Sequence, residues 1–264
     1  MKKFRLLFAL IFLAILSFAA DQTINSSVYD WDKLPVKKTS SGESRIILKG
    51  STRSLDMFDV QVITLNVEQT VKNYKVENGF DELIILKEGS AEISVNSEKK
   101  ILGAGSVVVA SQGDKVNIRN VHNKSTTFYT FLFKPKPSSG SNRPDVKVSP
   151  VLKDWNTIEF KPSANGGRRD ILKQPVSTLK ELEMHVTTLN EGLPSHAPHT
   201  HPDEEVILVR FGFVDQTINS THYKLGPGSL IFLTNDDSHG ISNAGKGKCE
   251  YYAIRWLTSA DTAK

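Results

Sequence analysis

The sequence predicts an all-β protein made of two tandem units, each a small barrel or a double-sheet jelly roll, that arose by duplication of one unit. Three observations lead there. Short β-branched runs recur at regular spacing, an internal repeat spans almost the whole chain, and helical periodicity is missing beyond the first twenty residues.

The first twenty residues stand apart. Lys2, Lys3 and Arg5 open them, Leu6 to Leu16 is an unbroken apolar run, and Ser17-Phe18-Ala19 offers small residues for cleavage. That order is the three-part layout of a secretory signal peptide, and the apolar run is short for a membrane span. The expectation is a periplasmic or secreted protein, with no membrane partner once residues 1–20 are removed. Those three cationic residues supply most of the formal net charge of +4, so the remaining chain carries only about +1. No long basic cluster is present, so nucleic acid is not an expected partner. Cys249 is the only cysteine. No intramolecular disulfide can form, and packing must hold the fold.

The repeat defines the domains. "DWDKLPVKKTSSGESRIILKG" from Asp30 aligns with "DWNTIEFKPSANGGRRDILKQ" from Asp154, pairing Trp31 with Trp155 and Arg45 with Arg169. One residue drops out near the histidine cluster. The alignment then continues without a gap through Glu82 and Glu205, Gly89 and Gly212, Gly105 and Gly228, and Asn120 and Asn243. The expected units are therefore a barrel over 21–137, a Pro-, Gly- and Ser-rich linker over 138–152, and a second barrel over 153–264. Within each unit, "DELIILKEGSAEISVN" and "EEVILVRFGFVDQTIN" read as strands closed by hairpins at Asn96-Ser97 and Asn219-Ser220.

"PSHAPHTHPDEEVILVRFG" concentrates three of the seven histidines in six residues. His199 and His201 are two apart, so on a strand both imidazoles face one side. Pro202 stops that strand, Glu205 opens the next on the same side, and His239 would arrive from a third. Three imidazoles and one carboxylate suit one divalent transition metal (Mn, Fe, Ni, Co or Zn), with one or two positions open for water or a small-molecule substrate. A solvated acidic loop is the competing reading, and the well-placed His239 argues against it.

This spacing resembles the cupin motifs: His199-Thr200-His201, three residues, Glu205, six residues, Gly212, and then Gly228, His239 and Asn243. The pattern departs at Thr234 and Asp236, where a proline and a glycine are usual, and at Gly192, one residue further from His199 than is common. These departures fall in turns and spare the ligands. The resemblance covers both copies and implies a bicupin with metal ligands His199, His201, Glu205 and His239. Cupin barrels commonly pair, so it also leaves room for a homodimer. The first copy departs further. Counting from Glu82 puts Asn78 and Val76 at the positions of His201 and His199, and Val116 at that of His239. A metal-free first barrel is expected, with His122 off the ligand register.

Around the site, His185 replaces Gln61 of the first copy and reads as a strand histidine or a group that orients substrate. His196 lies on the approach, either as a loop residue or at the mouth. Arg210 has the strand parity to face away from the metal. Arg255 replaces Leu132, to meet an anion or to form a surface ion pair. Tyr251, Tyr252 and Trp256 match aromatic residues of the first copy and are expected in the core. Cys249 reads as a small strand residue.

Three functions fit. One is a metalloenzyme (hydrolase, lyase, decarboxylase or isomerase) on a small carboxylate, ureido or sugar-acid substrate. The others are a metal-dependent dioxygenase and a non-enzymatic periplasmic binder of a small ligand. The two-barrel plan with the metal in the second copy is similar to the ureidoglycine aminohydrolases, whose ligand set differs and for which export is unexpected. Oxalate-decarboxylase-like bicupins fit export better, but generally keep metal sites in both barrels.

Overall fold

The structure, a computed structural model, describes residues 23–137 and 148–259. The expected signal peptide and residues 138–147 of the expected linker lie outside the described residues. Apart from two single-turn 3-10 helices at Trp31–Lys33 and Trp155–Thr157, the regular elements are strands.

Each half forms one seven-stranded sheet and one smaller sheet, all antiparallel. In the second half the large sheet runs Ser27–Tyr29, Leu230–Leu233, Glu204–Phe211, Cys249–Leu257, Glu181–Leu189, Gly166–Gln174, Lys161–Ser163. A three-stranded sheet of Thr221–Leu225, Val214–Ile218 and His239–Asn243 faces it. The first half repeats the plan with a four-stranded small sheet, and Val151–Lys153 occupies one edge of its large sheet. The hairpin asparagines Asn96 and Asn219 take φ of 54° and 46°, as the tight primed turns require.

The edges show what the repeat alone conceals. Ser27–Tyr29, from the start of the chain, pairs with Leu230–Leu233 of the second barrel, and Val151–Lys153 pairs with Val107–Ser111 of the first. The two arms are thus exchanged, and each covers an edge that would otherwise offer unpaired backbone groups. Val151 and Leu152, expected as the end of the linker, are strand residues for that reason. After each arm comes a tryptophan. Trp31 lies on Gly228 and Trp155 on Gly105, where a Cβ at either glycine would come within 2.6 Å of the indole.

Three apolar clusters form among the described residues. One joins the halves through Phe58, Phe131, Phe133, Phe232, Ile254 and Trp256, with Phe58 and Trp256 rings 5.2 Å apart. The other two are the interiors of the barrels. Tyr252 and Trp256 are buried as expected, and Tyr252 donates to the Gly105 carbonyl across the interface at 3.1 Å. Cys249 is buried on its strand, and burial pushes its thiol up to about 11. Asn120 and Asn243 are matching staples: each side-chain amide spans backbone carbonyls more than fifty residues away, and neither is a ligand.

Candidate metal centre

The site lies inside the second barrel. Pro198 and Pro202 flank His199-Thr200-His201, and neither can donate to a ladder. The segment therefore makes a single bridge, His199 with His239, rather than the strand expected from sequence. That bridge is enough, because it holds the two rings 4.9 Å apart. His201 lies 5.4 Å from His199 and 4.8 Å from His239, centroid to centroid. One ligand atom from each of His199, His201 and His239 falls within 4.8 Å of the others.

Hydrogen bonds set the tautomers. His201 Nδ1 lies 2.9 Å from the Asp203 carbonyl and His239 Nδ1 2.8 Å from the Asp237 carbonyl. A proton on each Nδ1 leaves each Nε2 with its lone pair facing inward. Both Nε2 atoms converge on Glu205 Oε2, at 3.2 Å from His201 and 3.5 Å from His239. Buried Glu205 should have a raised pKa, but when His201 and His239 also carry protons on Nε2, their hydrogen bonds and charge outweigh desolvation and hold it at about 2, a place that a cation would fill once those protons are gone. His239 Nε2 is buried with no hydrogen-bond partner. An orphaned imidazole nitrogen beside an ionised carboxylate and two more imidazoles fits a divalent cation.

These groups open into a cavity of about 610 Å³. His185 lines it, half buried, with Nδ1 unpartnered and its pKa lowered to about 4, mainly by desolvation. Arg255 also lines it and pairs with Asp203, its Nε 3.0 Å from the carboxylate. His196 stands at the mouth, its ring 4.3 Å from His199. Arg210 is turned away, as its parity predicts, stacked 4.0 Å over Trp155 and paired with Glu250.

A family model described as "Cupin domain" matches residues 185–255, the stretch that carries all four predicted ligands. The whole two-barrel plan is matched among solved structures. Lactobacillus farciminis oxalate decarboxylase in its formate complex is 12% identical, with a TM-score of 0.69 over 90% of this chain and 88% of its own. The chain has the bicupin fold. Protein Ylba of E. coli is 14% identical, with a TM-score of 0.68 over 88% of this chain and 91% of its own length. AerE from Microcystis aeruginosa is 12% identical, with a TM-score of 0.63 over 85% and 97%. At such identities the likeness establishes the fold. No curated protein matches by sequence.

The first barrel corrects one sequence assignment. Tyr74 pairs with Val116 there, just as His199 pairs with His239. Tyr74 and Val76 are therefore the counterparts of His199 and His201, and Asn78 falls in the turn. The turn before Glu82 is two residues longer than the one before Glu205, which shifts a count made back from the glutamate. Tyr74 had no signal in sequence, because only the pairing register reveals its place. His122 is remote, with its backbone N–H bonded to the Asn120 side chain at 2.8 Å. Sequence reasoning also missed Gln216 and Thr187, which line the cavity of the second barrel. Comparison with Ile93 and Ile63, their apolar partners in the repeat, would have marked both.

Proposed function

We propose that this bicupin is an exported metalloenzyme that binds one divalent transition metal through His199, His201, Glu205 and His239 and acts on a small oxygen-rich acid. The observation that carries the reading is the convergence of two tautomer-fixed imidazole nitrogens on the ionised Glu205, beside His199. Mn²⁺, Fe²⁺, Co²⁺, Ni²⁺ and Zn²⁺ all suit that donor set. When bound, the cation would polarise a carbonyl or carboxylate oxygen of the substrate.

The chain's own groups supply the rest. The Asp203 and Asp237 carbonyls keep His201 and His239 in the binding tautomer. Arg168 and Arg255 line the cavity, ion-paired with Asp170 and Glu183 and with Asp203 respectively, and their remaining N–H groups can meet an anionic substrate. His185, neutral at physiological pH, offers an unpartnered nitrogen to accept or pass a proton. The likeness to an oxalate decarboxylase crystallised with formate supports a small carboxylate as the substrate class. The composition of residues 1–20 supports export.

Elemental analysis of the purified mature protein tests the centre. One equivalent of metal is expected in the wild type and less than a tenth in His201→Ala and His239→Val. The latter carries the residue that the first barrel tolerates at Val116, so it should fold. Full metal content in either variant would overturn the assignment. Screening small carboxylates, ureido acids and unsaturated uronates with and without O₂ then separates hydrolysis, decarboxylation and isomerisation from oxygenation.

A further inference from the structure

Gln216 is only 1% exposed, yet it lines the cavity. Its strand, Val214–Ile218, alternates in burial, and Val214 and Ile218 belong to the barrel's interior cluster, so Gln216 faces the same interior. Its Nε2 donates to the Thr217 carbonyl at 3.1 Å, while its Oε1 is buried without a partner. Reversing the amide would set carbonyl against carbonyl, so the orphan is the acceptor oxygen. Leaving such an acceptor unmet is costly, and native interiors seldom do so without cause.

The first barrel shows that the fold does not require it. Gln216 pairs with Ile241 where Ile93 pairs with Ile118, and Thr187 pairs with Tyr251 where Ile63 pairs with Phe128. The same barrel thus closes with Ile93, Ile63 and Phe128 in place of Gln216, Thr187 and Tyr251. All three line the cavity, Thr187 and Tyr251 as a pair on the large sheet and Gln216 on the small sheet that faces it. The Tyr251 hydroxyl meets the side chains of Thr187 and Ser195, and burial with those contacts leaves its pKa at about 12. Of the charged wall residues, Arg255 pairs with Glu205, four residues from Tyr251 along the same strand, and Arg168, across from Thr187, is engaged by Asp170 and Glu183. Gln216 is two residues beyond Ile218, the partner of His239, or about 7 Å deeper.

We propose that this floor is a second subsite, in which Gln216 Oε1 accepts a hydrogen bond from an uncharged N–H or O–H group at the far end of a small acid whose carboxylate sits at the histidine centre. Thr187 and Tyr251 complete the polar wall around that end. The inference rests on the metal-centre reading for the position of the carboxylate, and on Gln216 and the paired barrel for the rest. It narrows the substrate to a short acid of about four carbons with a terminal amide or hydroxyl.

Calorimetric titration with succinamate, 4-hydroxybutyrate and pentanoate tests it, since the three differ mainly in the group that reaches the floor. Wild-type protein should bind the two donor-bearing acids at least about tenfold more tightly than pentanoate. In Gln216→Ile and Gln216→Met the preference should fall within twofold, with metal content unchanged. Stronger binding of succinamate than of 4-hydroxybutyrate would assign the terminal group as an amide, and the reverse as a hydroxyl. Equal binding of all three by wild type, binding of none, or a preference that survives both variants would overturn the subsite. Wild-type protein that takes up no metal would instead overturn the centre. The subsite is then decided on that protein by the Gln216 side-chain amide resonance, which must move with succinamate or 4-hydroxybutyrate and stay fixed with pentanoate.

Discussion

The hydroxyl of Tyr74 lies 2.8 and 2.9 Å from the two carboxylate oxygens of Glu82, inside the first barrel. Glu82 is the counterpart of Glu205, so a phenol occupies the ground that the histidines hold in the second barrel. The two glutamates titrate in opposite directions for that reason. Burial pushes Glu82 up to about 7, against the lowering hydrogen bond from Tyr74, while imidazoles hold Glu205 at about 2.

The shift in Glu82 has a pH signature. Below its ordinary value of 4.5 the residue is protonated in both folded and unfolded chains, and its contribution to stability is fully present. Between there and about 7 the folded chain keeps a proton that the unfolded chain has lost, so stability falls as pH rises. Glu82→Gln keeps an acceptor for Tyr74 and removes the titration. Relative to wild type, its unfolding free energy in urea should rise by on the order of 3 kcal/mol from pH 4.5 to 7.5. A difference independent of pH would refute this.

The halves also grip each other through paired carboxylates. Glu204, buried next to Glu205, accepts from Thr52 Oγ1 at 2.7 Å, the Arg53 N–H at 2.8 Å, the Ser54 N–H at 3.2 Å and the Ser54 hydroxyl. Its counterpart Asp81 accepts from the Ser177 N–H at 3.2 Å and from the Thr178 N–H and hydroxyl at 2.7 and 2.6 Å. Thr52→Val and Thr178→Val should each cost about 2 kcal/mol, lowering Tm by roughly 4–8 °C. Calorimetry of the double variant should show additive losses, because the two clamps share no partner.

Gly228 is the seat of Trp31. Its φ is +95°, and a Cβ would stand 2.6 Å from the indole Cδ2, so Gly228→Ala meets both backbone strain and a ring that must move. Arg45 and Lys87 flank that indole at 4.4 and 4.5 Å, so displacing it also breaks both cation contacts. The variant should lose at least about 2 kcal/mol and shift tryptophan emission to the red. Gly105→Ala, beneath Trp155, should behave alike. Unchanged emission in both would mean that the arms are not docked.

Much of this was legible in the sequence where neighbouring residues carried the signal. The strands, the hairpins at Asn96 and Asn219 and the pairing of His199 with His201 follow from spacing along short stretches, which short-range geometry fixes, while the duplication and the place of His239 follow from setting the two copies and the motif spacing side by side. Gln216 was legible in principle, as a polar residue set against Ile93, but its orphaned oxygen was not, because hydrogen-bond satisfaction belongs to the folded interior.

The sequence by itself determined that the protein is two β barrels and that the second keeps a set of donors the first has lost. The tertiary structure decided that Tyr74 stands in the lost site, that the first arm completes the second barrel, and that Glu204 is held by residues 52–54. Those contacts join segments that are far apart in the chain or separated by a turn of altered length. Spacing cannot specify them: they depend on which edges need covering and which buried carboxylates need donors once the halves pack together.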